Sequence, residues 1–179
     1  MDQQDSELLA VFNEKKEAVD PLSRSVVHRE PLKHWHGVVQ IWIIDSGCRL
    51  LCSKRSLSNE GNPGKWQTYF GGHVRAGDSF EETAMRETEE EIGITIPKEK
   101  LHFLFESKYE PGKHFSEAFV YIFDPKKDVL KFNDGEVSET KWLTFSAYRA
   151  LEVKNPSEWC NPCNENVQKK IEELIEVAI

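Results

Sequence analysis

Carboxylates are concentrated in one short segment of the chain, residues 86–91, which reads Arg-Glu-Thr-Glu-Glu-Glu. In an α-helix, Glu87, Glu90 and Glu91 fall on one side, because residues three and four apart are neighbours on the helix surface. Three carboxylates at that spacing repel one another unless a cation lies among them. Such oxygen ligands suit Mg²⁺ or Mn²⁺, which in turn would bind phosphate oxygens. On the glutamates alone, however, the simpler interpretation is a solvated acidic face.

The segment in front of the glutamates favours a site over a solvated face. Gly71 and Gly72 precede it, and a glycine pair lets the backbone approach a ligand closely and leaves a carbonyl free to coordinate metal. Asp78 or Ser79 can cap a helix that continues to about residue 92, where Gly93 supplies the stop. The sequence therefore predicts a glutamate-bearing helix that begins directly after a glycine segment.

Residues 72–94 resemble the Nudix box, whose pattern is Gly, five residues, Glu, seven residues and Arg-Glu-U-x-Glu-Glu-x-Gly-U, with U bulky and aliphatic. Gly72 opens the pattern, Gly93 stands near its end, and the Arg-Glu and Glu-Glu pairs fall at the required spacing. There are two departures. Asp78 stands in place of the first Glu, and Thr88 in place of an aliphatic residue.

The resemblance implies an α/β fold, namely a Nudix-type α/β/α sandwich with a mixed sheet. It implies a metal-dependent hydrolase that cleaves a diphosphate linkage in a nucleoside diphosphate derivative or related organic diphosphate, with Mg²⁺ or Mn²⁺ as cofactor. It assigns metal binding to four residues: the carbonyl of Gly71 and the carboxylates of Glu87, Glu90 and Glu91. Arg86 would brace a glutamate through a charge-assisted hydrogen bond.

Such a reaction also needs a base for the attacking water and a cationic contact for phosphate. Glu90 or Glu117 is the candidate base, although Glu117 also fits a surface carboxylate at a strand end. For phosphate contact we expect Arg55, with Lys54 and Arg75 as the other basic residues near the predicted site.

The resemblance extends over roughly residues 8–143 to the branch of the family that contains isopentenyl diphosphate isomerase. Four residues fall where that isomerase carries metal-site histidines and a catalytic glutamate: His28, His36, His73 and Glu117. Gly71, however, stands where the isomerase needs a cysteine for proton transfer, and a residue without a side chain transfers no proton. A hydrolase is therefore favoured. An isomerase-like enzyme and a catalytically silent nucleotide-binding module stay open as alternatives, and the histidines fit a second metal site or simple hydrogen bonding near the glycines.

Composition and charge narrow the class of protein. The 179 residues, 39% of them hydrophobic, suffice for one domain with a real core. The net charge of −8, without a basic block, argues against a nucleic-acid interface. The acidic N-terminus lacks the layout of a signal peptide, and the longest apolar run is too short to span a membrane. The sequence predicts a cytoplasmic protein with a small-molecule diphosphate as its partner.

The elements that position the glutamates follow from apolar patterning and turn residues. We expect one domain over residues 1–179, with an N-terminal hairpin extension over about residues 1–30 that is a candidate homodimer contact, and a loop around Pro21. Strands are predicted over residues 36–45, 49–54, 66–74, 101–106, 117–124 and 140–143, and a C-terminal helix over about residues 164–179. Residues 56–64, residues 107–116 and the segment around Trp159 are expected to select the substrate.

Four cysteines occur in the chain, and Cys160 and Cys163 form a CxxC pair. In a cytosolic chain these are expected to be free thiols. The alternative for the pair is metal binding or redox chemistry, which lacks the support of a second CxxC or a His pair.

Overall fold

The computed structural model describes residues 6–59, 61–132 and 135–178, so the two ends of the predicted domain lie outside it. Within this described part of the chain, eight strands form one sheet: β1 (Leu8–Phe12), β2 (Ala18–Ser23), β3 (Trp35–Asp45), β4 (Arg49–Arg55), β5 (Trp66–Gln67), β6 (Leu101–Tyr109), β7 (His114–Phe123) and β8 (Val137–Thr144). The same part contains four α-helices: α1 (Arg24–Val27), α2 (Phe80–Ile92), α3 (Phe145–Lys154) and α4 (Glu165–Ala178). None of these helices is long and apolar enough to cross a lipid bilayer.

β3 is the centre of the sheet. It pairs in parallel with β7 from His36 to Asp45, whereas β1 and β4 pair antiparallel with its two ends on the other side. The chain segment that precedes α2 lies beside the middle of β3, between β1 and β4. This segment pairs with β3 through isolated bridges at Phe70 and His73. The sheet is therefore mixed, as predicted, and the glycine segment lies against its central strand.

Helices cover both faces of the sheet. Alternate residues of a strand point to opposite sides, so neighbouring residues of β3 pack against different helices. On one face, Ile41 of β3 belongs to the same buried cluster as Ile92 of α2. On the other face, Trp42 is packed in a cluster that includes Tyr148 of α3 and Ile171 of α4. This confirms the predicted α/β/α sandwich.

α2 is fixed by local signals at both ends. The Ser79 side chain accepts the Glu82 backbone N–H while the Glu82 carboxylate accepts that of Ser79, a capping box. Gly93 ends the helix in the left-handed conformation, with φ 71°. Thr88, where the Nudix pattern has an aliphatic residue, is buried, and its hydroxyl donates to the Ala84 carbonyl at 2.7 Å. The departure at Thr88 therefore leaves no buried polar group without a partner.

The predicted hairpin is confirmed, since β1 and β2 pair antiparallel. The loop predicted around Pro21 is wrong, because Pro21 lies inside β2. β2 is an edge strand of the sheet, where the missing N–H of a proline can face solvent. The other side of β1 bonds to the segment before α2: Ala10 N–H donates to Val74 O at 2.8 Å, and Ala76 N–H donates to Leu8 O at 2.8 Å.

Three other sequence-based boundaries also need correction. The strand predicted over residues 66–74 is regular only in β5, and its remainder contacts β3 through isolated bridges around the glycine pair. The strands predicted over residues 101–106 and 117–124 are both longer, since β6 extends to Tyr109 and β7 begins at His114, so most of residues 107–116 is strand. α3 was not predicted, because only Phe145 and Tyr148 of it are buried and its apolar pattern is weak.

The cysteine pair is part of the packing between the sheet and the C-terminal segment. All four cysteines are free thiols, which confirms that prediction. Cys160 Sγ donates to Trp66 O at 3.4 Å, and the Cys163 N–H donates to Tyr148 Oη at 3.1 Å. Burial raises the pKa of the Cys163 thiol to about 12, so this thiol is protonated at neutral pH.

Candidate active site

Two glutamates of α2 lie against the glycine pair. Glu91 is buried, and its Oε1 accepts the backbone N–H of Gly71 at 2.9 Å. The carboxyl carbon of Glu87 lies so near Gly72 that a Cβ built on that glycine would be 2.4 Å away. Gly71 has φ 150°, and a Cβ there would lie 2.0 Å from the carbonyl oxygen of Val39. A side chain would clash with β3 at Gly71 and with the Glu87 carboxylate at Gly72, so both positions require glycine.

Arg86 joins the glutamates into one group of charged residues. We call this group the constellation; it consists of Arg75, Asp78, Arg86, Glu87, Glu90 and Glu91. Its Nη1 lies 2.8 Å from Oε1 of Glu87 and 2.9 Å from Oε2 of Glu90, and its Nη2 donates to His73 O at 3.4 Å. Asp78, where the Nudix pattern has Glu, faces Arg86 Nε at 3.7 Å. This is the bracing geometry that the resemblance implies for Arg86, here shared between two carboxylates.

The electrostatics of the constellation favour a bound cation. Burial raises the pKa of Glu87, the neighbouring charge of Glu90 raises it further, and Arg86 opposes both. A carboxylate that is desolvated beside another negative charge gains most from a nearby positive charge. Carboxylate oxygens together with a backbone carbonyl are also the ligands that Mg²⁺ and Mn²⁺ prefer. The residues present therefore fit a divalent ion at Glu87, Glu90, Glu91 and the Gly71 carbonyl.

The two arginines predicted to bind phosphate lie in different surroundings. Arg75 is part of the constellation, with Nη1 3.6 Å from Glu90 Oε1 and Nε 2.5 Å from Glu7 Oε1. Arg55, at the end of β4, donates to Gly61 O at 2.7 Å and to Gln67 Oε1 at 3.2 Å. Arg55 is thus held against the loop between β4 and β5, one of the segments expected to select the substrate.

Glu117 occupies a different position from the one predicted. It is not the first residue of its strand but the fourth of β7, in register with Val39. Val39 bonds on its other side to Gly72, so two strand spacings, about 10 Å, separate the backbones of Glu117 and the glycine segment. The Glu117 carboxylate accepts a 2.8 Å hydrogen bond from Lys16, whose ammonium also lies 4.7 Å from the ring centre of Phe80.

Three histidines from separate elements converge beside the glycine segment. His28 follows α1, His36 lies in β3 and His73 lies in the segment before α2; one ring nitrogen of each lies within 4.8 Å of the others. Burial lowers the pKa of His36 to about 4 and also lowers that of His28 and His73. Neutral imidazoles at this spacing could hold a metal ion of the Zn²⁺ class.

Sequence reasoning missed several partners of the site. Glu7 and Lys16 come from the N-terminal hairpin and reach Arg75 and Glu117. His114 lies beside the histidine group, its ring centre 5.8 Å from that of His36. No local pattern marks these residues; only the pairing of β1 and β7 with their neighbours brings them in.

The chain matches the NUDIX domain over residues 34–160, well over half of its length, and therefore belongs to the NUDIX family. It is 32% identical over 137 residues to Nudix hydrolase 3 of Arabidopsis thaliana, covering 70% of this chain but only 18% of that protein. It is 25% identical over 149 residues to isopentenyl-diphosphate delta-isomerase 2 of Photorhabdus laumondii, covering 81% of each. The solved structure of DR0079 from Deinococcus radiodurans matches with a TM-score of 0.70 at 24% identity, covering 96% of this chain and 98% of that one. The family resemblance of residues 72–94 is thus confirmed.

Proposed function

We propose that the protein is a Mg²⁺- or Mn²⁺-dependent hydrolase that cleaves a diphosphate linkage in a nucleoside diphosphate derivative or a related organic diphosphate. The observation that carries this proposal is the contact of Glu87 and Glu91 with the glycine pair, while Arg86 bridges Glu87 and Glu90. An ordinary solvated acidic helix face would not bury a carboxylate on a backbone N–H. Membership of the NUDIX family supports the same reaction class.

Glu87, Glu90, Glu91 and the Gly71 carbonyl would hold the ion. When bound, a divalent ion neutralises phosphate charge and favours attack by water on phosphorus. The residues of the chain orient the ion ligands and the phosphate. Arg86 fixes two of the carboxylates, and Arg75 offers a positive charge to phosphate at the edge of the ion site. Arg55 would meet the part of the substrate that reaches the loop between β4 and β5.

The general base is assigned to Glu90 ahead of Glu117. Glu90 is the most exposed of the three clustered glutamates and lies within the constellation. Glu117 is neutralised by Lys16, which also pairs with Glu106 at 2.8 Å. The Glu117 backbone also lies two strand spacings, about 10 Å, from the glycine segment, whereas Glu90 is carried by the same helix as Glu87 and Glu91.

The relation to the isomerase makes an isomerase-like activity the main alternative. Against it stands the backbone at Gly71, where even one added carbon would meet the Val39 carbonyl oxygen at 2.0 Å. The chain thus lacks the cysteine of the isomerase and also lacks the space for one on this backbone path. A catalytically silent binding module is disfavoured because all three glutamates expected to bind metal, Glu87, Glu90 and Glu91, are present.

We also propose that His28, His36 and His73 hold a second ion, of the kind that prefers imidazole ligands, such as Zn²⁺. Their convergence from three elements and their lowered pKa values support this role. Titration with Co²⁺, followed by its visible absorption, tests the group directly. We expect a ligand-field band that is lost in His36→Ala and kept in the control His102→Ala. An equal band in both variants would refute the histidine site.

The main proposal is tested by the release of inorganic phosphate, inorganic pyrophosphate or a phosphomonoester from a panel of compounds with Mg²⁺ or Mn²⁺. The panel contains nucleoside di- and triphosphates, sugar nucleotides and isopentenyl diphosphate. We expect metal-dependent release, reduced by more than about 100-fold in Glu91→Gln, beyond the usual cost of losing a group that only supports a metal ligand. The matched control is Glu89→Gln, an exposed glutamate of the same helix. Full activity in Glu91→Gln would refute the site, and rearrangement of isopentenyl diphosphate without hydrolysis would favour the isomerase.

A further inference from the structure

Glu90 lies between two arginines that are held in different ways. Arg86 comes from the preceding turn of α2 and lies 2.9 Å from Oε2 of Glu90, at full hydrogen-bond contact. Arg75 comes from the segment before α2 and lies 3.6 Å from Oε1 of the same carboxylate. That is well beyond the 2.7–2.9 Å typical of a charge-assisted hydrogen bond.

Arg75 also contacts a second carboxylate, that of Glu7, which directly precedes β1. Its Oε1 lies 2.5 Å from Nε of Arg75, and its Oε2 lies 3.6 Å from Nη1 of Arg24. The Glu7 carbonyl also accepts the backbone N–H of Arg24 at 2.8 Å. Glu7 is therefore held at its main chain and at Oε1, with Arg24 as a more distant cation near Oε2.

The main chain on either side fixes the distance between Glu7 and Arg75. Leu8 O accepts the Ala76 N–H, and Val74 O accepts the Ala10 N–H, each at 2.8 Å, so Arg75 lies between two bonded neighbours. Arg75 and Leu9 form the bridge between these bonds. The hairpin thus presents Glu7 to Arg75 through a short antiparallel ladder instead of a flexible side-chain contact.

We propose that Glu7 is a positioning residue of the active site, which holds Arg75 back from Glu90. Without Glu7, the guanidinium of Arg75 would close on Glu90 and occupy a carboxylate oxygen that the divalent ion needs. With Glu7 in place, Arg75 stays beside the ion site, and its guanidinium is available to phosphate. The inference rests on the proposed function, and it makes the N-terminal hairpin a part of the site.

The test measures binding of Mn²⁺ alone, by the paramagnetic resonance signal of the free ion, to the full chain. We expect Glu7→Ala to weaken Mn²⁺ binding by about fivefold, the upper range for one partly exposed ion pair. Glu7→Gln, which keeps the size of the side chain but removes its charge, should behave similarly and disturb the fold less. In an Arg75→Ala background, the Glu7 substitutions should have no effect, because the competing cation is gone. With the substrate found in the panel, Glu7→Ala should raise KM more than it lowers kcat.

The control is Glu14→Ala, an exposed carboxylate of the same hairpin. Equal Mn²⁺ affinity in the wild-type protein and both Glu7 variants would overturn the inference while leaving the proposed function intact. Weakening that persists in the Arg75→Ala background would also overturn it, because Glu7 would then act by another route. A wild-type protein that binds no Mn²⁺ would instead overturn the proposed metal site, and this inference with it.

Discussion

The Glu91 carboxylate and the Gly71 backbone N–H are joined by a hydrogen bond of 2.9 Å, which ties the last turn of α2 to the segment lying on β3. Because Glu91 is buried, this bond cannot be exchanged freely for one to water. The helix that carries the glutamates and the glycines that approach them therefore depend on one another. The two glycines nevertheless meet different obstacles, and substitutions at each should separate stability from activity.

Gly71→Ala should destabilise the fold. The added Cβ would lie 2.0 Å from the Val39 carbonyl oxygen, a backbone atom of the central strand that cannot move without disturbing the sheet. In addition, Gly71 has φ 150°, a conformation that residues with a side chain rarely adopt. We expect a loss of more than about 1 kcal/mol of unfolding free energy, the range in which an alanine replaces a glycine in an unsuitable conformation. Thermal unfolding measures this loss. Gly61→Ala, with nothing within 4 Å of its Cβ, is the control; equal melting temperatures for the two variants would contradict the close approach.

Gly72→Ala should instead remove activity with little effect on stability. Its Cβ would meet only the Glu87 carboxyl group, at 2.4 to 2.5 Å, and the end of a flexible side chain can move away. Displacement of Glu87 would break its 2.8 Å contact with Arg86 and disturb the ion site. We expect a melting temperature close to that of the wild type together with a loss of turnover of about 10- to 100-fold. Normal turnover would mean that Glu87 is not needed where it lies.

The sequence predicts α2 well because its signals are local. The capping residue Ser79, the stop at Gly93 and the three-and-four spacing of the glutamates all lie within a few residues of what they control. The central strand β3 is equally clear from its apolar content. The placement of the glutamates on one side of α2 could therefore be predicted. The family resemblance added that Arg86 contacts a glutamate, but not that it bridges both Glu87 and Glu90.

The site residues that are distant from one another along the chain could not be predicted. Glu7 meets Arg75 across 68 residues, and Lys16 meets Glu117 across 101, so only strand pairing brings them together. Pro21 was misread for a similar reason: its fit depends on β2 being an edge strand, which is a property of the whole sheet.

The buried cysteines should be unreactive in the folded protein. Burial raises the pKa of Cys52 and of Cys163 to about 12, so both thiols are protonated at pH 8 and little of the reactive thiolate is present. Iodoacetamide at that pH should modify the half-buried Cys48 first, as peptide mass mapping would show. All four cysteines should react in guanidinium chloride. Modification of Cys163 as fast as Cys48 in the folded state would restore a redox role for the CxxC pair.

Arg86→Lys should lower activity, because one guanidinium meets two carboxylates and a backbone carbonyl at once. A lysine ammonium is a point charge and cannot span Glu87 Oε1, Glu90 Oε2 and the His73 carbonyl in this way. We expect turnover to fall by about 10- to 100-fold, as is usual when a residue that orients metal ligands is lost.

Arg49→Lys is the matched control for Arg86→Lys, because Arg49 holds Asp45 through two side-chain contacts of 2.6 and 2.7 Å at the distant end of β3. Each substitution removes an arginine that makes two close contacts with carboxylate oxygens, so their effects on thermal unfolding should be of the same order. Turnover, measured under the same Mg²⁺ concentration, should fall only in Arg86→Lys. If both variants lose turnover equally, the loss reflects general destabilisation, and Arg86 has no special part in orienting the glutamates.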